Sequence, residues 1–176
     1  MRFSTLLLIF FLGACNTAPK NNAVTTRQYF DLKGYVSAAA QRLNQLNPQI
    51  DKTVTINQSA EHKKLKITDW QKELSVITDA DINKSAWQGL FSIRKNQNSI
   101  SYISDNDKVP VKSLTVKYKN GKPEGVEILM ETTNLLYTSR DILTFYPDSI
   151  YQVRKTQKIK LLDKKEYQVE LRLPRI

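Results

Sequence analysis

The segment VKSLTVKYKNGKPEGVEILMETT, residues 111–133, holds two strands and the turn between them in plain view. Its two runs, 111–119 and 124–133, alternate polar and apolar residues with a period of two, the signature of a half-buried β-strand. Between them lies Asn120-Gly121. Both residue types tolerate the positive φ of a type I′ turn, whose twist matches that of paired strands, so the segment reads as a β-hairpin.

The same period extends on both sides. Further strands are predicted over 88–95, 98–104, 135–146, 149–162 and 165–173, separated by turn material such as Ser104-Asp105-Asn106-Asp107, Pro147-Asp148 and Asp163-Lys164. The last run is the clearest, with Tyr167, Val169, Leu171 and Leu173 on one face and Gln168, Glu170 and Arg172 on the other. Strands joined in succession by short turns pair as antiparallel neighbours, so residues 88–173 read as a meander. Run 149–162 is long and carries Lys155 and Gln157 on the parity of Tyr151, Val153, Ile159 and Leu161. A bulge there, or a section protruding beyond the sheet, would account for it.

Upstream the period lengthens. Phe30, Tyr35, Ala38, Ala39, Leu43 and Leu46 recur at helical spacing, predicting a helix over 28–46 that ends at Asn47-Pro48. A hairpin of 53–56 and 64–67 follows, with Asn57-Gln58-Ser59-Ala60 as its turn. A second helix begins at Thr68 or Asp69 as N-cap, presents Trp70, Leu74 and Ile77 on one face, and fades near Ala80-Asp81-Ile82-Asn83. A sheet with one apolar face needs a cover, and the helices are the candidates. The expected fold is therefore α+β: a curved antiparallel meander of about seven to nine strands packed on one or two helices.

The first fourteen residues have a separate role. Arg2, the apolar run Leu6–Leu12 and the small residues Gly13-Ala14 are the parts of a secretory signal. The run falls short of the roughly 20 apolar residues that a spanning helix needs. Leu12-Gly13-Ala14-Cys15 resembles the lipobox of bacterial lipoprotein precursors. That resemblance implies cleavage before Cys15, a diacylglycerol on its thiol and acylation of the new amine. It divides the chain into a signal peptide (1–14), a flexible tether (15–26, polar, with Pro19) and a single domain (27–176). The other reading is an ordinary secretory signal with an incidental thiol. Cys15 is the one cysteine of the chain, which rules out an intrachain disulfide; a lone free thiol is a liability in an oxidising compartment. Two or three acyl chains would hold the protein on a membrane. Asn16, rather than Asp, after the cysteine implies outer-membrane delivery by the sorting rule of many Gram-negative cells. The lack of an acidic run after it implies a periplasm-facing position.

The formal charge is +10, and losing Arg2 with the leader leaves +9. An anionic partner fits this balance: phospholipid headgroups, envelope polymers or an acidic protein. A lysine-rich surface that serves solubility alone fits it too. Nucleic acid is not an expected partner, because export would separate the domain from it. Within the run Arg154-Lys155-Thr156-Gln157-Lys158-Ile159-Lys160, the cations Arg154, Lys155, Lys158 and Lys160 read either as an anionic-surface contact or as edge lysines that block aggregation.

Little else points to chemistry. His62 is the one histidine and lies beside Lys63 and Lys64, so a serine or cysteine triad would have to use it; a solvated surface residue is the expectation. Zinc would need more His or Cys ligands. Asp105-Asn106-Asp107 resembles the opening of a calcium loop but lacks the following glycine and bidentate acid, and reads as a turn. Asp79 and Asp81 stand near a helix end, with Lys84 or Arg94 as expected partners. Trp70 and Trp87 read as core or groove wall, and no phosphate-binding glycine loop is present. No catalytic residue, metal ligand or cofactor is expected.

The segment Asp69-Trp70-Gln71-Lys72-Glu73-Leu74, with Ala80-Asp81-Ile82-Asn83-Lys84 and the meander after it, resembles a group of short, uncharacterised bacterial lipoproteins. The resemblance implies kinship and carries no activity or site residues. The expected function is a membrane-anchored, non-enzymatic envelope lipoprotein that binds a hydrophobic or amphipathic ligand or an envelope partner. The periplasmic lipoprotein carriers offer the fold-level analogy. An assembly module contacting anionic polymers or proteins is the alternative, and an enzyme acting on envelope glycans or lipids the third.

Overall fold

The computed structural model describes residues 28–173; the expected leader (1–14), Cys15 and the whole of the expected tether (15–26) lie outside the described residues. The chain begins with helix α1 (Leu32–Leu46), the hairpin β1 (Gln49–Ile56) and β2 (Ser59–Lys66), and two short helices, α2 (Trp70–Glu73) and α3 (Ser75–Asp79). A single 3-10 turn (Ser85–Trp87) leads into β3 (Ser92–Asn96), β4 (Ser99–Ile103), β5 (Val111–Lys119), β6 (Lys122–Thr133), β7 (Tyr137–Tyr146), β8 (Ile150–Ile159) and β9 (Lys165–Arg172). All nine strands form one antiparallel sheet in the order β2-β1-β9-β8-β7-β6-β5-β4-β3. The fold is α+β, an open curved sheet packed on helices. The meander β3–β9 runs in sequence order, and the first hairpin joins it through β1 and β9, where Asp51 lies opposite Arg172 and Ile56 opposite Tyr167.

Local chemistry sets the boundaries. The Asp31 carboxylate accepts from the Gly34 N–H at 3.0 Å and caps α1, so the helix starts later than its apolar spacing suggests. Asn47 closes it in the left-handed region, donating to the Leu43 carbonyl at 2.9 Å. The buried face is Leu32, Val36, Ala39, Ala40 and Leu43; Leu46, expected inside, is 45% exposed. Asp69 caps α2 through the Lys72 N–H at 3.0 Å. The second helix breaks at Leu74 into two pieces, yet Trp70, Leu74 and Ile77 are all fully buried. The Asn44 side chain of α1 accepts from the Trp70 N–H at 3.0 Å, which seats α2 on α1. Asn57 and Asn120 hold the positive φ of their hairpin turns, the second with Gly121.

No bulge interrupts β8. It pairs residue for residue with β7 from Ile150 to Ile159 and with β9 from Ile150 to Gln157. The irregularities lie instead between β5 and β6, at Val111/Ser113 and Lys117/Tyr118. Lys155 needs no bulge because its side chain meets Asp141 on the next strand at 3.2 Å.

Strand pairing lays the inner residues in rows. Leu171, Tyr151, Phe145, Val126 and Val116 form one; Val169, Val153, Leu143, Ile128 and Leu114 form the next. These join the helix residues in one core cluster. Toward the β6–β7 and β8–β9 turns the same face becomes polar, with Lys155 opposite Asp141 and Gln157 opposite Ser139.

Candidate functional site

The basic run is divided by the sheet. Arg154 and Lys158 point outward, while Lys155, on the opposite parity, lies on the inner face. Lys160 stands in the turn after β8, its N–H donating to the Leu136 carbonyl at 2.9 Å. The four cations therefore do not form one surface, because alternate side chains of a strand leave on opposite faces. Cys15 lies outside the described residues.

Lys155 belongs to a cluster that strand parity alone did not reveal. Asp141 accepts from the Ser139 hydroxyl at 2.5 Å and pairs with Lys155 at 3.2 Å. The Asp141 side chain is 20% exposed. The Asp141 carboxylate thus holds both an ammonium and a hydroxyl. The arrangement is an inner-face ion pair.

An apolar concavity lies at the other end of that face, beside α2 and α3. Ile67, Val76, Tyr151, Val153 and Val169 line an open groove of about 620 Å³, with Lys52, Lys66, Lys72, Asp69 and Glu73 at its margin. Val76, Val153 and Val169 are half-buried, so the floor is apolar surface left uncovered by the helices. Lys52 meets Glu73 at 2.8 Å across it. Tyr151 donates to the Glu73 carbonyl at 3.3 Å. Burial, then the Glu73 charge, pushes the Tyr151 phenol far above its ordinary range, which keeps it a neutral donor. Among the described residues neither Lys66 nor Lys72 has a carboxylate partner. Behind the groove, Leu32, Val36, Trp70, Leu74 and Phe145 fill the space between helices and sheet without exposure. The site is thus a groove beside a packed core, in contrast to the enclosed cavity of a carrier.

The outer face carries both signs of charge. Lys117 pairs with Glu127 at 3.7 Å, Arg140 with Glu131 at 2.5 Å and Arg172 with Glu170 at 2.7 Å. The Arg172 guanidinium, with help from the Gln152 amide, holds the Glu170 carboxyl below its usual range. His62 is exposed and bonds through Nδ1 to the Thr53 hydroxyl at 2.9 Å.

Asp81 is buried and accepts from the Asn83 N–H and side-chain amide at 3.3 and 3.1 Å. Its cation is Lys33, at 3.9 Å, in place of the expected Lys84 or Arg94. Lys84 reaches the Asp79 carbonyl at 3.0 Å and covers the Trp87 ring at 4.2 Å. In the loop of Asp105 and Asp107, Asn106 accepts from the Lys108 N–H at 2.9 Å, the geometry of a turn. Among the described residues no three of His, Cys, Asp and Glu gather closely enough to hold a metal ion. No described helix is long and apolar enough to cross a membrane.

Compared with known protein families, curated proteins and solved structures, the chain matches none.

The groove residues were hidden in the sequence because they come from six elements, β1, β2, α2, α3, β8 and β9. Val153 and Val169 read as ordinary core positions on their strands. Only the position of β9 between β1 and β8 brings them under Val76.

Proposed function

We propose that the protein is a membrane-anchored, non-enzymatic lipoprotein of the bacterial envelope that binds an amphipathic ligand in the groove beside α2. The ligand has an apolar chain and an anionic head. The anchor is acylated Cys15, and the outer membrane facing the periplasm is its place. One observation carries the binding reading: Val76, Val153 and Val169 leave an apolar floor open between a packed core and two lysines, Lys66 and Lys72, that have no carboxylate partner among the described residues. An acyl or similar chain removes that floor from water, and Lys66 and Lys72 meet its charge. The lipobox residues Leu12-Gly13-Ala14-Cys15 support the anchor. The alternative, an assembly module gripping anionic polymers through the outer face, is less favoured, because that face is laced with ion pairs.

The test is affinity capture of the full chain from its own envelope, with mass spectrometry of bound lipids and proteins. An anionic amphiphile is expected with the native chain, reduced at least ~10-fold in Val169→Glu, where a carboxylate would be pressed against the apolar chain. Equal recovery from both, or an envelope protein in place of an amphiphile, would refute the groove reading.

A further inference from the structure

Leucines fill the tips of two neighbouring hairpins. Leu135 and Leu136, between β6 and β7, are 84% and 68% exposed; Leu161 and Leu162, between β8 and β9, are 97% and 57% exposed. Strand order puts both turns at the same end of the sheet, and the Lys160 N–H to Leu136 carbonyl bond joins them. The turns are held by their backbones. The Asn134 side chain accepts from the Leu136 and Tyr137 N–H groups, both at 2.9 Å, and Leu162 donates to the Ile159 carbonyl at 3.1 Å.

Folding alone does not call for leucine at these positions. Other turns of the chain use Asn57 and Asn120-Gly121 where φ is positive. Leu161 adopts φ 70°, a region in which a leucine Cβ crowds the backbone, and it offers its whole side chain to water. Both the conformation and the exposure are unfavourable in the isolated molecule. Strain of this kind at a projecting turn is a reason to look for a partner.

The charges beside the leucines indicate which partner. Arg140, Lys158 and Lys164 line an outer basin of about 350 Å³ with the hydroxyls of Thr133, Thr138 and Thr156, and Glu131 at its edge. Arg140 and Lys164 pair with Glu131 and Glu166. Among the described residues Lys158, Lys160 and Lys165 have no carboxylate partner. A second copy docked here about a two-fold axis would bring these cations against their own kind. Leucines projecting past the end of a sheet and ringed by cations suit a layer that is fluid and apolar inside and anionic at its surface.

We propose that this hairpin-tip surface docks into an anionic phospholipid bilayer, with Leu135, Leu136, Leu161 and Leu162 entering the acyl boundary and Arg140, Lys158 and Lys160 meeting lipid phosphates. The surface lies at the opposite end of the sheet from the ligand groove and uses none of its residues. It adds a second, non-covalent membrane contact to the anchor, and it sets which way the domain faces the lipid.

Hydrogen exchange of the full chain, read by mass spectrometry, tests this on phosphatidylcholine vesicles with and without phosphatidylglycerol. Amides of 135–137 and 160–163 are expected to slow by on the order of tenfold on the phosphatidylglycerol vesicles. Leu161→Asn with Leu162→Ser should abolish that protection without lowering the melting temperature, since Asn accepts the positive φ. Lys158→Glu with Lys160→Glu should weaken it by roughly fivefold per residue. Val169→Glu, in the groove, should leave it unchanged, so the two proposals fail separately. Equal exchange on both kinds of vesicle, or protection that survives the leucine and lysine variants, would overturn the proposal.

Discussion

At Gly125 the ring of Tyr146 occupies the space a side chain would need: a Cβ there would lie 2.3 Å from the ring's Cδ1. The ring is not free to swing aside, because its hydroxyl donates to Glu127 at 2.8 Å. Burial first, then that hydrogen bond, pushes the Tyr146 phenol far above its ordinary range, so it stays a donor. Gly125→Ala is therefore expected to destabilise the fold by about 1–3 kcal/mol, as overpacking does. Chemical denaturation measures it, and the loss should shrink in a Tyr146→Ala background, where the obstructing ring is gone. Trp70 carries a different tension. It is fully buried at the joint of α1 and α2, and its indole N–H is buried with no hydrogen-bond partner among the described residues. Its packing outweighs the unmet bond, since the ring contributes several kcal/mol of apolar burial and the bond about one to three.

At the scale of elements, the open sheet leaves two edges, β2 and β3. Edge β2 reads Ser-Ala-Glu-His-Lys-Lys-Leu-Lys and is exposed except at Leu65. Charges on both of its faces discourage another strand from adding to it. Lys63→Val with Lys64→Val should change the unfolding free energy by no more than about 1 kcal/mol but promote self-association. Light scattering against concentration would reveal it. The charged strand that guards the sheet is thus β2, whereas β8, whose lysines suggested that role, lies in the middle of the sheet.

That misplacement illustrates what the sequence could and could not disclose. Asn120-Gly121 and the alternation around it identify a hairpin locally, and the strand order β3 to β9 follows from short turns. Asp69, Trp70, Leu74 and Ile77 likewise declare a cap and a buried face. The pairing of β1 with β9 leaves no local trace, because Thr53 and Glu170 meet only through the global arrangement. The groove depends on that pairing and was illegible for the same reason. Apolar spacing places the face of α1 a partial turn off, taking in Phe30 and Leu46, whereas the Asp31 cap starts the helix at Leu32 and centres it on Val36 and Leu43. The leucines of the two tips read as strand residues, within the runs 135–146 and 149–162, whereas the structure places both pairs in turns. Their adjacency was not legible either.

For the whole molecule, the helices cover one end of the inner face and leave the other to Asp141, Lys155, Ser139 and Gln157. Stability should follow that cover. In native-state exchange of the free protein, amides of Val126, Ile128, Leu143 and Phe145 should open only with global unfolding. Those of Thr132, Thr133, Thr138 and Ser139 should open at free energies lower by about 2 kcal/mol or more. A uniform profile along β6 and β7 would contradict this division. Such a gradient leaves the tip end of the sheet able to adjust to a soft surface while the groove end stays rigid.

The union of β1 with β9 also has a consequence in time. A chain emerging from the ribosome delivers the hairpin of β1 and β2 early and β9, which flanks it, after all the other described strands. Until Lys165–Arg172 arrives, β1 and β8 both present bare backbone, and the helices lie over half a floor. Shape must therefore wait for β9, so the first hairpin of the fold is held only by the last of the described strands to be made.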